Sequence, residues 1–231
     1  MSITFARLVS IFLDKRELNK TTYNSYISTL MPLLQQYGKH SPQSINRDTI
    51  IKYLQNIPNI SNSTRNRHQA VIQAVFNFGV EQGYLDYNPI SRLKRCKVVK
   101  TQESEITAEQ MTQLCQFVEK DLRMSALIRL IYSTKLKIGE ILALNLVDVD
   151  LENQRILVRK QDWNHYDVET ATYLRNYITF SRHPQSHALF TAKHPSTAKV
   201  TRLTYRRVHR CWVDITSQSS LLVGLHLTSL W

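Results

Sequence analysis

Residues 127–150 read Leu-Ile-Arg-Leu-Ile-Tyr-Ser-Thr-Lys-Leu-Lys-Ile-Gly-Glu-Ile-Leu-Ala-Leu-Asn-Leu-Val-Asp-Val-Asp. Leu127, Ile128 and Ile131 recur at helical spacing, so a helix over about 124–132 carries them into a core. The Thr134-Lys135-Leu136-Lys137 turn interrupts it, and a short helix follows from Ile138 to Leu144. Asp148, Val149 and Asp150 lead into a sheet. Residues 155–160 alternate as a strand does, and 163–168 supply its return strand.

The second half opens on Thr107-Ala108-Glu109-Gln110, a capping box with Ile106 and Met111 placed for a hydrophobic staple. Two more helices are predicted near 169–180 and 201–215. The first half reads as four helices. A short one spans 3–13, and a longer one follows Asn19 or Thr21 and ends near Gly38; a third surrounds Ile50 to Leu54, and a fourth runs from about Ser63 to Gly83. The chain is therefore mainly α with a small β-sheet: a domain at 1–90, a basic linker at 91–104 and an α+β domain at 105–231.

With 231 residues, 42% of them hydrophobic, the chain has enough apolar side chains for two modest cores. Its formal charge is +12 and its pI about 9.7, which favours an anionic partner, nucleic acid first. Residues 1–100 hold 14 Lys and Arg against 5 Asp and Glu, while the rest hold 16 against 13, so the surplus sits mainly in the first half. Ser61-Asn62-Ser63-Thr64-Arg65-Asn66-Arg67-His68 puts hydroxyls, amides and cations on a helix start, where free N–H groups already favour phosphate. Arg92, Lys94, Arg95 and Lys97 follow Asn88-Pro89 in a run without acids, suited to neutralising phosphates without reading sequence.

No apolar run reaches the roughly 18–20 residues of a membrane span, and no signal-peptide pattern opens the chain, so a cytoplasmic protein, nucleoid-associated when bound to DNA, is expected. Cys96, Cys115 and Cys211 are too far apart for a disulfide framework or zinc site, and His183, His187 and His194 are irregularly spaced in loops. A nucleophile elbow and a glycine phosphate loop are both missing. The expectation is no metal, no cofactor, no small-molecule substrate and no membrane.

The 127–150 stretch resembles the first catalytic box of the tyrosine recombinases, or phage integrases, where a helix, a Thr-Gly-Leu-Arg turn, an Ile-Ser-Glu helix start and a Trp-x-Asp-Val-Asp exit recur. Thr134, Leu136, Ile138, Glu140, Leu142, Leu144, Asp148 and Asp150 fall where that pattern puts such residues; Lys135 stands at its glycine and Lys137 at its arginine. Residues 21–37, 63–78, 83–85 and 88–90 resemble the family's core-binding domain, a four-helix, SAM-like fold. The resemblance spans about 4–230.

It implies a tyrosine that attacks a DNA phosphate, two arginines and a histidine that stabilise the charged transition state, and a hairpin lysine that donates a proton to the leaving oxygen. On that mapping Lys137, Lys160 and His226 are remnants of the catalytic set, and Thr64, Arg65, Arg67, His68, Arg92, Lys94, Arg95 and Lys97 face duplex DNA. The second box, His-x-Leu-Arg, maps in two ways. With His226 as histidine, Thr228 takes the leucine and Ser229 the arginine; with Leu230 as leucine, Thr228 and Trp231 replace histidine and arginine. Neither keeps the arginine. The sequence stops at Trp231, before the family's nucleophilic tyrosine, which implies a truncated catalytic domain. The expectation is thus a DNA-binding relative of the site-specific recombinases that does not cleave. The alternatives are a protein that occupies DNA sites as a regulator and one that pairs with an intact recombinase or with itself.

Overall fold

The computed structural model describes residues 3–98, 105–194 and 196–231. It divides into two compact units, 1–100 and 101–231, each with its own hydrophobic cluster.

The first unit holds α1 (Phe5–Asp14), α2 (Lys20–Tyr37), a 3₁₀ turn (Pro42–Ser44), α3 (Arg47–Asn56) and α4 (Asn62–Glu81). Each α-helix starts on a side-chain cap: Thr4, Asn19, Asn46 and Ser61 accept from the backbone N–H three residues on, each worth about 1 kcal/mol. Phe5, Leu8, Phe12, Leu30, Leu33, Ile50, Ile72, Val75 and Phe76 are fully buried, each adding roughly 1.5–3 kcal/mol of burial. Gly38 does not end α2 in the left-handed conformation that closes many helices. Its φ is −60°, and its carbonyl accepts from Ala6 N–H at 2.9 Å, fixing α1 against the end of α2. Gly83, at φ +71°, is the left-handed residue after α4.

The second unit contains α5 (Ala108–Val118), α6 (Leu122–Thr134), α7 (Ile138–Ala143), β1 (Val149–Asp150), β2 (Arg155–Val158), β3 (Asp162–His165), α8 (Val168–Phe180), β4 (Thr191–Lys193), β5 (Val200–Arg202), α9 (Tyr205–Thr216) and a 3₁₀ turn (Leu227–Leu230). Strands β1, β2 and β3 form an antiparallel meander in which Arg155 pairs with His165 and Val158 with Asp162. The capping box at Thr107 is complete: Gln110 N–H donates to Thr107 Oγ1 at 3.2 Å, and Thr107 N–H to Gln110 Oε1 at 3.0 Å. Buried Leu127, Ile128, Leu130 and Ile131 make α6 the centre of this core.

Several boundaries differ from expectation for local reasons. The return strand stops at His165 because the Asp167 carboxylate accepts from Thr170 N–H at 2.7 Å and starts α8. Residues 201–202, expected at the start of a helix, instead belong with Val200 to a strand that pairs with 191–193 as an antiparallel ribbon, so α9 begins at Tyr205. Strands of three residues are too short for alternation to reveal them.

Candidate nucleic-acid interface and catalytic remnants

In the first unit the α4 start is well ordered by its own side chains. Ser61 Oγ accepts from Thr64 N–H at 3.1 Å and lies 3.0 Å from Thr64 Oγ1. The exposed Arg67 side chain reaches Ser25 on α2. Arg65 and His68 are half-buried, and both Arg65 Nε and His68 Nδ1 are shielded without a hydrogen-bond partner. Burial and the Arg67 charge beside it hold the His68 pKa below its ordinary value, which favours the neutral imidazole. It walls a cleft of about 440 Å³ with Pro32, Tyr37, Tyr53 and Pro58. Thr64, Arg65 and Arg67 thus share one helix start, while His68 turns toward α2 and α3.

Residues 91–98 are not a free spacer. Asn88 anchors their start, donating from Nδ2 to Asn77 Oδ1 at 2.6 Å and to the Gln73 carbonyl at 3.2 Å. Four amides of α4 then hold the segment in reverse order. Gln73 donates to the Ser91 carbonyl at 3.3 Å, Gln69 to the Leu93 carbonyl at 2.7 Å, and Asn62 to the Lys97 carbonyl at 2.9 Å. Asn66 makes two bonds to one residue, donating to the Cys96 carbonyl at 2.9 Å and accepting from Cys96 N–H at 2.8 Å. Leu93 packs on the core, while Arg92, Lys94, Arg95 and Lys97 are all exposed. The remainder of the expected linker, 99–104, lies outside the described residues.

In the second unit, α6 ends on Lys135 at φ +55°, the left-handed position where the resembling pattern has glycine. Its ammonium sits 4.3 Å from the centre of the Tyr132 ring and donates to the Leu230 carbonyl at 3.4 Å. Thr134 Oγ1 donates back to the Leu130 carbonyl at 2.6 Å, closing the helix. Lys137 is exposed and extended (φ −65°, ψ 139°), just before α7. Its N–H donates to Glu140 Oε2 at 3.1 Å, and the other Glu140 oxygen accepts from Arg159. Glu140 thereby ties the Lys137 turn to the β2–β3 hairpin.

Arg159 and Lys160 form the tip of that hairpin, both left-handed at φ +52° and +59°. Together with Gly139, Glu140, Asn145 and Asp148 they line a cleft of about 350 Å³. Lys137 and Lys160 therefore lie on elements joined through Glu140 and Arg159. His226 is exposed at the start of the last 3₁₀ turn. Within that turn Leu227, Ser229 and Leu230 are buried, and Ser229 accepts from Ile106 N–H at 3.1 Å. Among the described residues, no group of three or more His, Cys, Asp or Glu could hold a metal ion, and no helix is long and apolar enough to cross a membrane.

Two sets of residues escaped the sequence reading. One is the amide row Asn62, Asn66, Gln69 and Gln73, whose spacing of four, three and four was a visible helical stripe; Asn62 and Asn66 were read only as polar groups of the helix start, and their bonds to 96–97 were missed. The other is the outer face of α9, where Tyr205, Arg206, His209 and Arg210 are exposed; the run Tyr-Arg-Arg-Val-His-Arg was its signal.

A family model described as Phage integrase family matches residues 104–228, just over half of the chain. A protein of Caldanaerobacter subterraneus subsp. tengcongensis, named as a tyrosine recombinase, is 31% identical over 157 residues, covering 64% of this chain and 54% of that protein. The IntQ protein of Escherichia coli K12, named as a defective protein, is 26% identical over 176 residues, covering 68% and 44%. The chain spans about half the length of the curated relatives it matches. Among solved structures, the Tn1549 transposon integrase in complex with circular intermediate DNA superposes with a TM-score of 0.75 at 16% identity, covering 94% of this chain and 78% of that one. A λ integrase dimer bound to a core site gives 0.75 at 14% identity, covering 99% and 68%.

Proposed function

Because the chain belongs to the phage integrase family, we propose that it binds duplex DNA in the context of site-specific recombination and does not cleave it. One observation carries the binding half: four exposed cations, Arg92, Lys94, Arg95 and Lys97, stand on a segment held along α4. The start of α4, with Thr64, Arg65 and Arg67, extends this surface, and the outer face of α9 and Lys160 at the hairpin tip add cations on the second unit. Solved integrases with this fold carry DNA in their complexes, which supports the same partner here. Site occupancy follows from this reading, because a protein that binds without cutting blocks or marks its site.

The loss of cleavage rests on chemistry. A phosphoryl transition state without metal needs fixed cationic forks, and arginine supplies two parallel N–H donors where lysine supplies a point charge. Lys137 keeps the charge of the first arginine position and loses the fork. At the second, burial favours the mapping in which Leu230 is the core leucine, Thr228 replaces histidine and Trp231 replaces arginine, because Leu230 is fully buried and His226 exposed. Each lost donor of this kind costs about 10²–10³ in rate.

The test is binding to a 30-base-pair duplex by fluorescence anisotropy across a salt series. Neutralising at least four phosphates gives a slope of log affinity against log salt of about −3.6 or steeper. A flat dependence overturns the binding half. An SDS-resistant protein adduct on nicked duplex overturns the non-cleaving half.

A further inference from the structure

We propose that the amide face of α4 is a positioning device that turns the basic segment 91–98 into a rigid rail of cations for a DNA strand. The proposal rests on the DNA-binding reading above and assigns a role to residues that touch no phosphate themselves.

The geometry is that of a strand neighbour built from side chains. Asn66 exchanges two hydrogen bonds with Cys96, at 2.8 and 2.9 Å, as one residue of an antiparallel ladder does with its partner. Asn62, Gln69 and Gln73 extend the row to the carbonyls of Lys97, Leu93 and Ser91. From residue 62 to 73 a helix rises about 16 Å. The segment faces that length with the six steps from 91 to 97, roughly 2.7 Å per residue, shorter than the ~3.3 Å of a regular strand because 91–92 lie in a turn closed by the Leu93 N–H to the Ile90 carbonyl at 3.1 Å.

The bonds to α4 engage backbone groups and leave the charged side chains outside. Backbone groups of 91, 93, 96 and 97 bond to α4 and Leu93 enters the core, so the side chains of Arg92, Lys94, Arg95 and Lys97 are left to solvent. Four cations over about 16 Å give one per about 4 Å, comparable with one phosphate per 3.4 Å of axis on each DNA strand. A tethered but mobile segment of the same composition would neutralise the same phosphates, but would have to be ordered on binding. The amides therefore act on affinity and not on the number of phosphates contacted.

That distinction sets the experiment. Asn62→Ala/Asn66→Ala, made in the full chain, removes three of the five bonds and leaves the buried Gln69 in place. Arg95→Ala serves as the charge control, and the single Asn66→Ala as the milder variant should the double fold poorly. Each is titrated with the 30-base-pair duplex across salt, and limited trypsin digestion without DNA reads cutting within 91–98. The expected result is about tenfold weaker binding by the double variant at every salt concentration, an unchanged slope, and faster cutting. Arg95→Ala should instead lose about 0.9 of slope.

Binding within twofold of the parent, or cutting at the parent's rate, overturns the proposal while the DNA reading stands. A double-variant slope reduced like that of Arg95→Ala also overturns it, because the amides would then be contacting DNA directly. A parent that shows no salt dependence removes the DNA reading, and this proposal with it.

Discussion

Replacing Lys160 by glycine should make the protein more stable. Lys160 holds φ +59° at the tip of the β2–β3 hairpin, a conformation that costs an L-residue roughly 1–2 kcal/mol. Glycine removes that cost and gives back roughly 0.5–1 kcal/mol through the greater freedom of its unfolded chain. The Lys160 side chain is exposed, and among the described residues no hydrogen bond or ion pair engages it, so its removal sacrifices no contact. The net gain is about 0.5–1 kcal/mol, or a rise in melting temperature of about 2–4 °C for a unit of this size. Alanine is the reference, since it removes the ammonium and keeps the strain; asparagine, which tolerates left-handed backbone, should fall between the two. Urea denaturation followed by far-UV circular dichroism reads the order. If Lys160→Gly is no more stable than Lys160→Ala, the tip is unstrained in solution and the reasoning fails. If the order holds, Lys160 is retained at a position where glycine is the more stable choice, as expected of a residue kept for contact with a ligand.

Other perturbations test the frame behind the candidate sites. The buried Tyr177 hydroxyl donates to the Leu189 carbonyl at 3.2 Å and accepts from Thr191 N–H at 2.9 Å; Tyr177→Phe should cost about 1–3 kcal/mol in denaturant unfolding by stranding the Thr191 donor. Arg202 donates to the carbonyls of Leu142 and Leu144 at 2.9 and 2.7 Å and to Asn145 Oδ1 at 2.6 Å. Arg202→Ala should lower stability by about 2–4 kcal/mol, with Arg202→Lys recovering part of the loss. Asp150 has its pKa held down at about 2 by hydrogen bonds from Asn153 and Arg155. Its contribution is present above pH 4 and disappears as pH falls toward 2, so the stability gap between the parent and Asp150→Asn should close over that range in acid unfolding.

The helices were legible because their signals are local. Caps at Asn19 and Thr107 and the apolar spacing of α2, α4 and α6 act within one or two turns, and the structure keeps them. The short ribbon of β4 and β5 carries no such signal, since its register is set by pairing across a loop. The turn around Lys137 was readable as a pattern, but its tie to the hairpin was not, because Glu140 and Arg159 are 19 residues apart. The basic run at 91–97 was legible as charge, while its docking on α4 was not. The amides that dock it are polar residues on another element, and composition does not say what they bind.

Among the described residues, the two hydrophobic clusters have no member in common. Substitutions deep in one should therefore add to substitutions in the other with little interaction energy between them. If the non-cleaving reading holds, that separation has a historical meaning. Changes that erode the second core need not loosen the bundle that carries the basic segment, so selection could relax on one half of the chain while the other stayed under constraint.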